Sequence, residues 1–201
     1  MELFYAKGTV AQAALIALHE ADIPFTATRM DFSQNAQRTP DFLARNPKGR
    51  VPTLITDHGV LTETPAMLPY IAGLNPAANL LPTDPYQLAK MNELTSYLAS
   101  TAHVNHAHRM RGARWADEQS SFEDMQRKVP QNMRDTYNYL ETEVFRGPWA
   151  MGEQYTVADA YLFTVGCWLE GDSVDINEFP AIAAHAAAMR KRPAVIAALA
   201  Y

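Results

Sequence analysis

Two short stretches hold residues whose types and order suit a specific chemistry. In "NPKGRVPTLI", Asn46 to Ile55, a Lys-Gly-Arg turn leads through Val51-Pro52 into the β-branched and apolar Thr53-Leu54-Ile55. Proline cannot donate a ladder hydrogen bond, so it is confined to strand starts, edges or bulges. Pro52 reads either as an ordinary turn proline or as a cis X-Pro bond. In the second case the Val51 N–H and C=O turn outward, and an extended peptide pairs with them as an added strand does. In "LTETPAML", Glu63-Thr64-Pro65 opens a helix, with Thr64 as the expected N-cap and Pro65 at the first helical position. Amides exposed at such a terminus suit a carboxylate, and Glu63 beside them suits an ammonium group. Alone, Thr64-Pro65 is a plain helix cap. One hairpin after a candidate cis-proline, the pair fits a γ-glutamyl peptide.

Those stretches must be held by the elements around them. Glu2 to Tyr5 reads as a strand, and Ala11, Ala14, Leu15 and Leu18 repeat at helical spacing as the apolar face of an amphipathic helix. Phe25 to Met30 reads as a second strand. A helical crossover between two strands of one sheet implies a parallel, right-handed βαβ unit. A short helix near Asp41 to Arg45 and a strand Thr53 to Ile55 follow. The turn residues Asp57-His58-Gly59 then suit a hairpin into Val60-Leu61. A third helix is expected over about Thr64 to Ala72. Between Gly73 and Tyr86 the prolines and asparagines mark a connection between compact units. Beyond it the spacing is helical nearly throughout: Met91, Leu94, Leu98 and His103 on one helix, Val129 to Val144 on another, Ala158 to Leu169 on a third, then Ile182 to Met189 and Ala194 to Leu199. Thr156 three residues before Asp159 is a capping box with a folding role. The expected fold class is α/β plus all-α, with residues 1–78 as the α/β unit, 79–85 as connector and 86–201 as an all-helical unit.

The bulk composition limits function. A chain of 201 residues can bury a sizeable core without disulfides or a structural metal. Hydrophobic and charged fractions of 48% and 19% describe a folded globular protein. The net charge of −5 argues against non-specific nucleic-acid binding, which relies on positive charge. The single cysteine, Cys167, sits in an apolar run and is expected in the core. With no partner for a disulfide, it fits a reducing compartment. The start "MELFYAKGTV" lacks the pattern of a secretory leader, and no apolar stretch is long enough for a bilayer. A cytoplasmic setting without membrane association is therefore expected.

The stretch "HVNHAHRMRGARW" collects His103, His106 and His108 with Arg109, Arg111 and Arg114. No accompanying cluster of Cys, Asp or Glu supports a zinc site, so no metal is expected. The arginines read first as a solvated face. The alternative is a helix lining the cleft between the two units. It would then offer His103, His106 and an arginine such as Arg114 to an anionic or polar second substrate, with Met110 and Trp115 as apolar walls.

Taken together, the βαβ-α-ββα order, "NPKGRVPTL", "LTETPAMLPYI", the proline-rich connection, "MGEQYTVADAYLF" and "FPAIAAHAAAMRKRPAV" resemble a cytosolic glutathione transferase of a bacterial, beta-like kind, over essentially the whole chain. The resemblance implies a thioredoxin-like N-terminal domain that binds glutathione as co-substrate, a helical C-terminal domain that shapes the site for a small, partly hydrophobic electrophile, and a homodimer. It implies that Val51, next to Pro52, pairs with the cysteinyl backbone, that Glu63 and Thr64 hold the γ-glutamyl end, and that Arg50 reaches a glutathione carboxylate or a dimer partner. His103 matches a histidine near the mouth of the family's site. The catalytic stretch departs from the pattern. Val10 and Ala11 stand where beta-like members carry cysteine and serine, so mixed-disulfide chemistry at residue 10 is excluded. Tyr5, Thr9 or a backbone amide is left to lower the pKa of the glutathione thiol, ordinarily about 8.5. Tyr5 reads equally as a half-buried strand aromatic. Glutathione-dependent peroxide or disulfide reduction, isomerisation, and non-catalytic glutathione binding remain open alternatives.

Overall fold

The computed structural model describes all 201 residues. Four strands form one mixed sheet in the order β2-β1-β3-β4: β1 (Glu2–Tyr5), β2 (Thr26–Arg29), β3 (Thr53–Thr56) and β4 (Gly59–Leu61). β1 runs parallel to β2, with Leu3 opposite Ala27, and antiparallel to β3, with Leu3 opposite Leu54. β3 and β4 form the antiparallel hairpin expected from Asp57-His58-Gly59. Three helices interleave: α1 (Ala11–Glu20), α2 (Pro40–Arg45) and α3 (Thr64–Leu74). The β-α-β-α-β-β-α order expected from the pattern is the observed one.

Helix α1 differs from its expected amphipathic form. Seven of its residues, from Ala11 through Leu18, are buried. An all-round apolar helix must be covered on several sides. It packs on α3 and on two helices from the far end of the chain, α7 (Val157–Gly166) and α9 (Pro193–Leu199). Arg192 Nε and Nη2 reinforce that junction by donating to the Glu20 carboxylate at 2.5 and 2.8 Å. One apolar cluster of 41 buried residues consequently runs from Leu3 to Ala198 through both halves of the chain.

After Pro85 the chain is helical: α4 (Pro85–Tyr97), α5 (His103–Ala107), α6 (Gln119–Tyr139), α7, α8 (Pro180–Met189) and α9. A π-helical turn, Leu98–Ala102, joins α4 to α5, and another, Leu140–Val144, extends α6. Such turns are frequent at functional sites, and the first leads directly into the histidine-bearing α5. Cys167 corrects the sequence reading. Helix α7 ends at Gly166, and the cysteine at its C-cap is exposed rather than part of the core, although burial around the thiol raises its pKa.

The capping box forms as expected and extends further. Asp159, fully buried, accepts from Thr156 N–H at 2.8 Å, from Ala150 N–H at 2.7 Å, and contacts His185 Nε2 at 3.0 Å. One carboxylate thus joins α7, α8 and the preceding loop. Replacing it leaves several buried polar groups without partners, and Asp159→Ala should cost about 3 kcal/mol or more of unfolding free energy. Urea denaturation measures this; a loss below about 1 kcal/mol would contradict the assignment.

Candidate active site

A cleft of about 470 Å³ lies between the C-terminal edge of the sheet and α5. Its floor is the loop between α2 and β3, and a buried side chain sets that loop's shape. Asn46, 2% exposed, donates from Nδ2 to the Arg50 carbonyl and to Thr53 Oγ1, each at 2.8 Å, and accepts from Lys48 N–H at 3.1 Å. Thr53 Oγ1 donates to the same Arg50 carbonyl at 2.9 Å. Gly49 closes the turn with its N–H on Asn46 O at 2.9 Å and a φ of +60°. A Cβ there would stand 2.8 Å from Arg38 Nη1 and 2.9 Å from the Gln37 carbonyl, so glycine is required both for conformation and for space.

This clamp delivers Val51 to the cleft. The Val51–Pro52 bond is cis, the second of the two readings of that dipeptide. Neither the N–H nor the C=O of Val51 has a partner within the chain, and the residue lines the cleft half-buried. An unpaired main-chain donor and acceptor on one extended residue form a strand edge.

The adjoining α3 terminus is shifted by one residue from the sequence reading. Glu63, with φ +68° and ψ 113°, is the N-cap, and Thr64 is already helical. The Glu63 carbonyl takes up the Ala66 and Met67 amides at 3.1 and 2.9 Å, which fixes the register. A non-glycine residue at positive φ is uncommon and gathers at ligand sites. Thr64 N–H has no partner in the chain and opens into the cleft. Glu63 is exposed, and its carboxylate accepts from Lys48 Nζ at 2.6 Å.

The α1 terminus completes this side. Gly8, at φ +73°, turns the chain into Thr9 and the N-cap Val10. Thr9 lines the cleft, but its hydroxyl is engaged: Oγ1 donates to Ala6 O at 2.7 Å and accepts Ala11 N–H at 3.4 Å. The Val10 N–H is without a partner. Tyr5 stands outside the cleft. As the end of a central strand it points into the core, 6% exposed, with its ring edge-on to Tyr201 at 5.6 Å and its hydroxyl directed at the Tyr201 carbonyl at 3.4 Å. That placement gives Tyr5 the strand-aromatic role and removes it from the candidate donors.

The opposite wall comes from the helical half. His103 and His106 both face the cleft, and both rest on Trp168, edge-on at 5.0 Å and stacked at 4.4 Å respectively. His106 Nδ1 lies 2.8 Å from the Asp172 carboxylate, which is fully buried. Trp168 Nε1 donates to Gly8 O at 3.1 Å, so the same indole that carries the histidines also ties the helical half to the loop before α1. Arg111, Arg114 and Trp115 line the cleft, the reading of that stretch in which it borders a site. Met110 does not: the chain leaves α5 through a turn that directs Met110 outward, 81% exposed, before Gly112–Arg114 brings the arginines back. Met110 is therefore not a wall of the site, contrary to the sequence expectation. Asn46, Trp168 and Asp172, which hold the loop and the histidines of the cleft, are residues that sequence reasoning missed. The polar loop around Asn46 is its only signal in the sequence, while Trp168 and Asp172 lie in or after a run that reads as core.

Comparison with known proteins follows the same outline. Residues 1–73 match the family model described as glutathione S-transferase, N-terminal domain. The glutathione S-transferase GstA of Escherichia coli O157:H7 is 31% identical over 202 residues, covering 99% of this chain and 97% of its own. The crystal structure of a glutathione transferase homologue from Sulfitobacter, with bound glutathione, superposes with a TM-score of 0.95 at 47% identity, over 98% of this chain and 95% of that one. A bacterial beta class glutathione S-transferase from Sphingomonas chungbukensis gives a TM-score of 0.86 at 30% identity, over 100% and 98% of the two chains.

Burial, followed by the charges of Arg111, His106, Arg114 and Arg50, holds the His103 pKa at about 4, against an ordinary 6.5. The unfolded chain therefore takes up this proton first as pH falls. The group costs nothing above about pH 6.5 and removes up to about 3 kcal/mol of stability by about pH 4. A histidine NMR titration should find the ring neutral at pH 6, and His103→Asn should lose less stability on acidification than the parent. A His103 midpoint near 6.5 would contradict this placement.

Proposed function

The chain belongs to the glutathione S-transferase family, and from that premise we propose that it binds glutathione along the Val51 edge and ionises it for attack on a small electrophile. One observation carries the reading: three unpaired main-chain donors, Val51 N–H, Thr64 N–H and Val10 N–H, belong to residues lining a single cleft. Each matches a different part of the tripeptide. The cysteinyl unit pairs with Val51 N–H and C=O as a strand would. The γ-glutamyl carboxylate takes the α3 terminus at Thr64, where helix dipole and free amide both favour an anion. Its ammonium takes the Glu63 carboxylate, which Lys48 and the ammonium then share. Arg50 serves the remaining glycyl carboxylate.

This arrangement leaves the sulfur for the start of α1. Thr9 has already given its hydroxyl proton to Ala6 O, and Tyr5 lies in the core. Val10 N–H, at the positive end of a ten-residue helix, has no partner within the chain. The thiolate is stabilised by a main-chain amide and the helix dipole, a fixed charge distribution that needs no rearrangement as the anion forms. The sulfur then forms a bond to the electrophilic carbon, the leaving group departs with the bonding pair, and the thiol proton passes to solvent. His103, neutral at working pH, and His106, oriented by Asp172, border the second substrate along with Arg114. In this reading residues 1–78 hold glutathione, 79–85 connect, and 86–201 shape the electrophile site, and the working form is a cytoplasmic homodimer.

Val10→Pro removes the single amide hydrogen while the native φ of −60° suits proline. It should lower kcat/KM for conjugation about a hundredfold, with glutathione affinity by calorimetry changed far less. Tyr5→Phe should stay within about twofold, since its hydroxyl reaches only the Tyr201 backbone oxygen, at 3.4 Å beyond the usual O–H···O range. Full activity in Val10→Pro, or a large loss in Tyr5→Phe, would reassign the thiolate donor. Absence of glutathione uptake by the parent protein would remove the reading altogether.

A further inference from the structure

The charge of the cleft differs from the charge of the protein. On a chain of net charge −5, the cleft is lined by Arg38, Lys48, Arg50, Arg111 and Arg114 against a single carboxylate, Glu63. Lys48 is paired with Glu63, but none of the four arginines forms an ion pair or a side-chain hydrogen bond within the chain. They are close enough to oppose one another. Burial and then Arg50 lower the pKa of Arg111, while burial and then Arg111, Arg50 and Arg38 lower that of Arg114. Unpaired like charges gathered in one place cost stability unless a ligand neutralises them.

Glutathione cannot do so alone. Its two carboxylates and one ammonium bring one net negative charge, and the thiolate a second, against an excess of four positive charges in the lining. About two positive charges therefore remain once the thiolate has formed. Arg111 and Arg114 line the cleft with His103, on the side where the electrophile must lie, together with the indoles of Trp115 and Trp168. A guanidinium is planar, presents paired donors and suits a carboxylate in a bidentate fork.

Resting on the transferase reading above, we propose that the second substrate is an anionic electrophile, a carboxylate-bearing and preferably aromatic molecule, selected by Arg111 and Arg114. Among the small, partly hydrophobic electrophiles that the resemblance implies, a neutral one is then the poorer substrate. In the reaction with a chloronitrobenzoate, the glutathione sulfur bonds to the ring carbon bearing chlorine, chloride leaves with the C–Cl pair, and the thiol proton goes to solvent. The arginines hold the carboxylate at the far end of the ring.

The test compares chloronitrobenzoate with its neutral amide, each kcat/KM divided by the uncatalysed rate with glutathione. The parent enzyme should favour the anion by about tenfold or more, as expected of a hydrogen-bonded charge pair, and added salt should erode that preference. Arg111→Gln and Arg114→Gln should each bring the ratio toward one, while Arg111→Lys, which keeps the charge but not the fork, should retain only part of it. Calorimetry with glutathione on the same proteins separates the anion preference from the transferase reading beneath it. An equal ratio in a parent enzyme that takes up glutathione and turns over the amide overturns the anion preference and leaves the transferase reading standing. The anion preference also falls if the glutamine variants lose glutathione affinity with the ratio unchanged, for the arginines then serve the tripeptide. Failure to take up glutathione overturns both.

Discussion

The site depends on a buried amide side chain that holds an otherwise irregular loop. Asn46 commits both its Nδ2 hydrogens and its Oδ1 within its own loop, to the Arg50 carbonyl, Thr53 Oγ1 and the Lys48 amide. A polar side chain so thoroughly satisfied rigidifies what surrounds it, whereas a half-satisfied one would cost more than it gives. The effect is to occupy the polar groups on either side of Val51 and leave those of Val51 itself unused. A free strand edge is ordinarily an aggregation hazard. Here it is one residue long and lies in a cleft.

The second constraint is the union of the two halves of the chain. They share one apolar core, with α1 enclosed by helices from both. Trp168 links them at the cleft itself, its Nε1 on Gly8 O and its ring under two histidines. The loop that presents Val10 is consequently positioned from the far side of the molecule. This gives the proposed electrophile wall and the proposed thiolate donor a common reference, which matters where small displacements of reacting groups carry large rate penalties.

Much of the frame is legible in residue pattern. The parallel pair and the hairpin follow from a helical crossover and from Asp57-His58-Gly59, and the capping box from the Thr156–Asp159 spacing. The differences are of two physical kinds. Periodicity reports that a residue is apolar but not what covers it. For that reason the spacing gives α1 a single buried face and puts Cys167 in the core, although the helix before that cysteine ends one residue earlier. Local motifs report a residue type but not a neighbour distant in sequence. Tyr5 and Thr9 are equal candidates on type alone, and only the contacts with Tyr201 and Ala6 show their hydroxyls to be held. Trp168 and Asp172 are invisible for the same reason, and Asn46 is marked only by its polar loop: what each holds is a contact partner, not a spacing. The one-residue shift at Glu63 reflects a backbone conformation that asparagine or glycine would have announced and glutamate does not.

The central claim is that main-chain groups, rather than an enzyme hydroxyl or thiol, receive both the backbone and the sulfur of glutathione. A crystal structure of the complex tests it most directly. The account predicts both polar groups of Val51 within hydrogen-bonding distance of the cysteinyl unit, and Val10 N–H as the donor nearest the sulfur. A sulfur approached most closely by a Tyr5 or Thr9 hydroxyl, or a tripeptide bound without contact to Val51, would contradict it.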